Sequence, residues 1–168
     1  MTASTNMTSY RHPFAMLLGW LAITFGFAAL GALGSVQAAG FYAQLMRPGW
    51  APPAWLFGPV WGVLYTLMAV SAWRACRPSA ESRIAPVLSY LLQLVLNSLW
   101  SWLFFAWHLG SSASACILAL LVLIVANILL FARRDRLSAL LLIPYLAWVS
   151  FAAVLCFRIW QLNPGQLV

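Results

Sequence analysis

Negative charge is almost missing from this chain: Asp135 and Glu81 are its only carboxylate side chains, and it has no Lys. Nine Arg supply the rest of a 7% charged fraction, while 64% of the 168 residues are hydrophobic. Soluble domains carry about a quarter charged and about half apolar residues, so a water-soluble core-and-surface arrangement is excluded and the chain reads as an integral membrane protein. The shortage of acids excludes chemistry as well. Proton relays and ion pumps hold Asp, Glu or Lys at mid-membrane at a cost of about 2.5–3.5 kcal/mol each, and the uncharged runs 12–46, 48–73, 84–132 and 137–157 contain none. Acid–base hydrolysis and metal catalysis lack material for the same reason. Asp135 and Glu81 fall among loop arginines, where solvated pairs worth about 0–1 kcal/mol are expected.

Cysteine is scarce too. Cys76, Cys116 and Cys156 are odd in number, far apart and inside or beside apolar runs, which argues against a disulfide framework or a metal site and reads as small packing residues. His12 and His108 lie at span ends, where a lone His more often makes interfacial hydrogen bonds than holds a metal or haem. The formal net charge of +7 comes from scattered arginines and not from a clustered basic face. Anionic membrane lipid, and no nucleic acid, is therefore the expected partner.

What is abundant is apolar length. Five spans fit best, at about 13–37, 54–76, 84–107, 111–132 and 138–161, each near or above the roughly 20 residues that cross the hydrocarbon. His108 Leu109 Gly110 Ser111 Ser112 supplies the turn that divides the 84–132 run. Pro13 opens the first span, Pro52 and Pro53 precede the second, and Pro78 follows it. Residues 1–12 form a polar, mobile amino terminus and 164–168 a tail, with one domain between. The first span resembles a signal peptide in having Arg11 before it and Val36 Gln37 Ala38 after it, but its apolar stretch is longer than a signal core, so it is read as retained. Arg11, Arg74, Arg77, Arg83, Arg133, Arg134 and Arg136 share one side, against Arg47 and Arg158 on the other. That asymmetry predicts a cytoplasmic amino terminus and an opposite carboxyl terminus. No repeat relates the two halves, so an inverted-repeat transporter has no support.

Within the spans, polar and aromatic residues recur at helical spacing. Gln93, Asn97, Trp100, Ser101 and Phe104 lie on adjoining strips of the third span, Trp61, Tyr65 and Met68 on the second, and Tyr145, Trp148, Ala152 and Leu155 on the fifth after Pro144, which is expected to bend it. Trp20, Trp73, Trp107 and Trp160 fit interfacial belts. Trp61, Trp100 and Trp148 lie deeper, where an indole N–H needs a partner away from water. The strips suit an internal pocket for a flat apolar ligand, and equally plain helix packing, with amides bridging neighbours. Gly19, Gly26, Ala29, Gly31, Gly34 and Ser35 of the first span allow close helix approach, a surface that also supports homodimers.

One stretch is more specific: Phe41 Tyr42 x x Leu45 x Arg47 Pro48 x Trp50 x Pro52 Pro53 x x x Phe57 x x Val60 Trp61 x x Leu64 Tyr65 x x Met68. It is followed by Gln93 x x x Asn97 x x Trp100 x x x Phe104 Phe105, by Pro144 Tyr145 Leu146 x Trp148, and by Trp160 x Leu162 Asn163. Together these resemble the signature of the translocator protein family, also called tryptophan-rich sensory proteins or peripheral-type benzodiazepine receptors, in a bacterial-like form. The resemblance implies an all-α membrane protein, a five-transmembrane-helix bundle with an internal ligand cavity capped by the loop between the first two spans. It implies a receptor or carrier for tetrapyrroles such as protoporphyrin IX and haem, and for benzodiazepine-type drugs, with porphyrin as ligand and no required cofactor. By motif position the pocket would include Tyr42, Trp50, Trp61, Asn97, Trp148 and Ala152, with Arg47, Tyr65, Gln93, Trp100 and Tyr145 as further ligand-binding candidates. Trp61 and Trp148 match the tryptophans implicated, in bacterial relatives, in light-dependent oxidative porphyrin breakdown. A regulatory subunit acting through protein partners is a third expectation.

Departures from the pattern are informative. Arg47 stands where Lys is frequent and keeps a charge for a propionate, Phe41 replaces a common Trp, and Cys156 replaces a common Asn. The sterol-recognition pattern is represented only in part, by Leu155, Phe157 and Arg158, so sterol is a weak expectation and Arg158 reads as snorkelling.

Overall fold

A computed structural model describes residues 13–77 and 82–168. Expectations attached to the 1–12 segment with Arg11 and His12, and to Pro78 and Glu81, lie outside the described residues. With no water in hydrocarbon, an apolar run must satisfy its backbone internally, and here each does so as a helix. Five helical segments are long and apolar enough to cross a membrane: Phe14–Leu33, Ala54–Ala75, Ile84–Ala106, Gly110–Ala132 and Arg136–Leu162. The five-span, all-helical expectation holds, and this is an integral multi-pass membrane protein. The helices are α1 (Pro13–Leu33), α2 (Ala38–Gln44), α3 (Phe57–Ala75, entered through a 3₁₀ turn at Ala54–Leu56), α4 (Ile84–Ser101), α5 (Gly110–Ala132), α6 (Arg136–Leu141) and α7 (Ile143–Leu162).

The boundaries have local causes. The first span stops at Leu33, not 37, because at Gly34 the chain turns tightly beside α4. An added Cβ there would come within 2.8 Å of the Trp102 ring, and Trp102 Nε1 donates to Leu30 O at 2.9 Å. Gly31 packs on Ser98 and Ser101, whereas Gly19 and Gly26 face open space, so only part of the small-residue set serves close packing inside the chain. A π-helical turn, Trp102–Ala106, ends α4. His108 then adopts the left-handed conformation at φ 54° and reverses the chain into α5. The last span breaks at Leu142, where the Leu142 N–H reaches back to Ala139 O at 3.1 Å, one residue short of the α-helical partner. Pro144 falls in the first turn of α7, where its missing N–H costs little, so the expected bend is a break two residues earlier.

α1 packs on α3 and α4, α4 on α5, α5 on α7, and α6 on α3, while α3 and α7 touch sparingly. Met68, Ala69, Ala72, Tyr90, Leu94, Ile124, Phe131 and Tyr145 fill the core, and Phe14, Leu18, Val63, Leu118, Val122 and Leu140 project outward as a lipid-facing surface would. The three cysteines are buried and unpaired. At one end Asp135 caps α6, accepting from the Leu137 N–H at 3.3 Å and the Ser138 hydroxyl at 2.7 Å, while Arg74 Nε donates to Asp135 Oδ2 at 2.6 Å. The pair is thus a bidentate corner joint between α3 and α6, with Nη2 reaching Oδ1 at 3.3 Å, and not the loose solvated pair expected. Arg134 ties the same end by donating to Ala75 O and Ser82 O.

The opposite end carries a lid, residues 38–53. Asn163, just past α7, holds it: Asn163 Oδ1 accepts from the Met46 N–H at 2.8 Å and Nδ2 donates to Met46 O at 2.9 Å. Tyr42 donates to Pro52 O at 3.0 Å, and Phe41 stacks on His108 at 4.0 Å. In the 164–168 tail Leu167 is buried and the Val168 N–H donates to His108 O, while the other residues are exposed.

Two outcomes follow from these joints. At Gly110 an added Cβ would overlap the Trp160 ring and crowd Leu167, so Gly110→Ala should cost about 1–3 kcal/mol by overpacking, read as a lower melting temperature in detergent. The Arg74 guanidinium beside Asp135 holds its carboxyl down at about 2. A depressed carboxyl stabilises the fold above its unfolded value of about 3.9, and that share is lost as pH falls toward 2. Asp135→Asn should therefore be less stable at neutral pH and should flatten the melting-temperature loss between about pH 4 and pH 2.

Candidate functional site

Beneath the lid is a cavity of about 390 Å³. α1, α2 and the turn between them present only small residues and one phenol to it: Ala28, Gly31, Ala32, Ser35, Ala38, Ala39 and Tyr42. α3 with its entry turn contributes Ala54, Phe57, Gly58, Trp61 and Tyr65, the end of α4 contributes Trp100, Ser101 and Phe105, and α7 contributes Trp148 and Ala152. Small residues on one set of helices and rings on the others leave a slot. The sparing contact of α3 with α7 is what keeps it open, since those two helices meet through rings: Phe57 lies edge-on to Trp148 at 5.9 Å and Trp61 edge-on to Tyr145 at 6.2 Å. Trp61 also stacks on Tyr65 at 5.2 Å, and Trp100 on Phe104 at 5.6 Å. Such pairs add about 0.5–1.5 kcal/mol each beyond burial and hold the rings in place before any ligand arrives.

The polar groups are few and specific. Asn97 Nδ2 donates to the Tyr65 hydroxyl at 2.7 Å, so the proton of that phenol is not committed in the bond. Trp148 Nε1 is buried and has no acceptor within the protein, whereas the Trp100 N–H has the Cys156 sulfur beside it as a weak acceptor. A buried donor left without an acceptor costs about 1–3 kcal/mol. Trp148 lines the cavity, so its donor is one that an acceptor atom of a bound molecule would meet. On the lid, burial pushes the Tyr42 phenol above its ordinary value, partly offset by the Arg47 guanidinium. The phenol therefore stays protonated at neutral pH and can donate to Pro52 O.

Of the residues singled out in the sequence, Tyr42, Trp61, Tyr65, Trp100, Trp148 and Ala152 line the cavity. Asn97 stands behind Tyr65 and orients it. Tyr145 is fully buried under Trp61, and Gln93 is fully buried with its Oε1 on Asn127 Nδ2 at 2.8 Å. Arg47 and Trp50 sit on the lid, Arg47 4.8 Å over the Tyr42 ring and Trp50 edge-on to Phe151 at 5.7 Å. Ser101, part of the third-span strip, lines the cavity as well, and so do Phe57 and Phe105, which fall inside the quoted motifs but were not named as pocket residues. Gly31 and Ser35, read as packing residues, form part of its small wall. Asn163 was missed as the lid fastening because its partners are backbone atoms of Met46, which no side-chain pattern marks. Among the described residues no three His, Cys, Asp or Glu side chains cluster as a metal site would need.

Comparison with known proteins agrees with this architecture. The model of the TspO/MBR family matches residues 17–161. The chain is 39% identical over 143 residues to the tryptophan-rich protein TspO of Chlorobaculum tepidum, covering 81% of this chain and 90% of that protein. It is 36% identical over 142 residues to protein CrtK of Rhodobacter capsulatus, covering 83% and 89%. It is also 34% identical over 128 residues to the translocator protein of Homo sapiens, covering 74% and 76%. Five spans, a lidded aromatic slot and a match over most of its length lead to one conclusion: the chain belongs to the TspO/MBR family of membrane proteins.

Proposed function

We propose that this protein is a membrane receptor or carrier for flat, largely apolar ligands of the tetrapyrrole type, protoporphyrin IX or haem, bound beneath the lid. The observation that carries this reading is the ring-lined cavity itself, with the buried Trp148 Nε1 on one of its wall residues left without an acceptor in the protein. At about 390 Å³ the cavity stands near the lower end of the about 300–1,000 Å³ of small-molecule sites. A slot of that size favours a flat body over a bulky one. Rings of Phe57, Trp61 and Trp148 offer faces and edges to it, the Trp148 N–H meets an acceptor atom, and the lid guanidinium of Arg47 supplies charge for a carboxylate. The names of the relatives, translocator and sensory, agree with a receptor role. Sterol has less support, because Leu155 is buried while Phe157 and Arg158 are exposed, so the three do not form one lipid-facing strip.

A second reading, light-driven oxidative breakdown of the bound porphyrin, draws on the electron-rich Trp61 stacked on Tyr65 beside the cavity. Illumination with protoporphyrin IX in air separates the two: binding alone shifts the absorbance bands, whereas breakdown bleaches them faster than free porphyrin bleaches.

In a titration followed by tryptophan quenching, the Trp61→Phe, Trp148→Phe double variant should keep its helical circular dichroism and bind protoporphyrin IX about tenfold more weakly, equal to about 1.4 kcal/mol. Unchanged affinity would remove the site from this cavity. Asn163→Ala frees the lid at Met46, and should speed porphyrin release severalfold in stopped-flow displacement with a smaller effect on association. Equal release rates would show that the lid does not gate the ligand.

A further inference from the structure

Below the cavity lies a polar layer to which all five spans contribute. Thr24 of α1 hydrogen-bonds Tyr90 of α4 at 2.8 Å, Asn97 of α4 bonds Tyr65 of α3, and Asn127 of α5 bonds Gln93 of α4. Tyr145 of α7 completes it, with its hydroxyl within electrostatic reach of Tyr65 and Tyr90. Gln93, Asn127 and Tyr145 are all fully buried, and each keeps one polar atom without a partner in the protein: Gln93 Nε2, Asn127 Oδ1 and the Tyr145 hydroxyl.

Helix geometry brings these three side chains to about one level of the bundle. Across the antiparallel pair α5 and α7, Ser114 Oγ faces Cys156 Sγ at 3.8 Å. Three turns farther along, Asn127 stands within a turn of the level of Tyr145. Gln93 is joined to Asn127 directly and shares a face of α4 with Tyr90 and Asn97, and Tyr145 packs in one buried cluster with Tyr90 and Leu94 of that helix. The bond from Asn127 Nδ2 to Ser89 O at 3.3 Å fixes which way the asparagine amide faces, with Oδ1 as the remaining acceptor.

We propose that this layer is a binding site for a buried water molecule, to which Gln93 Nε2 and the Tyr145 hydroxyl donate and which donates in turn to Asn127 Oδ1. One donor amide, one acceptor amide and one phenol are what a single water satisfies, with the three hydrogen bonds usual for buried water. An apolar occupant would satisfy none of them, and each group left unmet would cost about 1–3 kcal/mol. The site ties α4, α5 and α7 together directly under Tyr145, on whose ring Trp61 rests. Gln93 and Tyr145 thus serve the floor of the cavity and not its contents.

The sign of one conservative substitution tests this. Tyr145→Phe keeps the ring and removes only the hydroxyl. If the hydroxyl holds a water, the variant should melt about 2–4 °C lower, the shift that loss of one net hydrogen bond gives in a chain of this size. If the hydroxyl has no partner, its removal relieves a buried polar group, so an unchanged or raised melting temperature overturns the proposal. A high-resolution crystallographic map of the unmutated protein supplies the direct readout: a water peak within about 3.2 Å of all three atoms is expected. A map with ordered water elsewhere but none here, or with a protein group bonded to the hydroxyl instead, also overturns it.

Discussion

The interior of this bundle is governed by one constraint: in hydrocarbon a polar group has no water to fall back on, so it must be met by the protein or by something the protein holds. The chain answers in three ways. Backbone groups are met by helices. Side chains that join helices are met in pairs, as in Thr24 with Tyr90, Ser98 with Phe27 O and Ser71 with Ser138 O. What is left over is concentrated in two places, the ring-lined slot under the lid and the layer beneath it. Unmet polar atoms are costly, so their clustering singles out these two places, in a protein whose charges are kept out of the spans except Arg74, Arg136 and Arg158 near their ends.

Much of the fold was legible because a bilayer reduces the question to length and punctuation. Runs without charge gave five spans, and Pro and Gly marked most of their limits. The limits that were misplaced depend on tertiary contact. Nothing in residues 33–37 alone shows that the Trp102 ring will lie against Gly34 and turn the chain there. Likewise Pro144 announced a bend, but the break falls at Leu142, where the first turn of α7 accommodates the ring. Asp135 looked like a solvated loop acid because its three partners, Arg74, Leu137 and Ser138, come from two helices that sequence does not align.

The site was legible by residue type more than by position. Helical spacing brought Trp61, Tyr65, Trp100, Trp148 and Ala152 together, and those do line one cavity. The same spacing drew in Gln93 and Tyr145, which share the inward faces but lie one layer deeper. Periodicity tells which side of a helix a residue takes, not how far along the bundle axis the space opens. The small wall formed by Ala28, Gly31, Ala32 and Ser35 was read only as packing, since absence of side chain looks the same whether a neighbouring helix or a ligand fills the gap.

The two ends of the bundle are fastened by different physics. At one, Arg74 and Asp135 meet as full charges, partly open to solvent. At the other, the lid is fastened to Asn163 and through Tyr42 to Pro52 by bonds between neutral groups. Dissolved ions weaken partly exposed charge pairs, acting over about 8–10 Å at ordinary ionic strength, and leave amide and phenol bonds nearly untouched. A change of medium, from dilute to briny, therefore loosens the arginine-bearing corner while the cover over the slot keeps its grip.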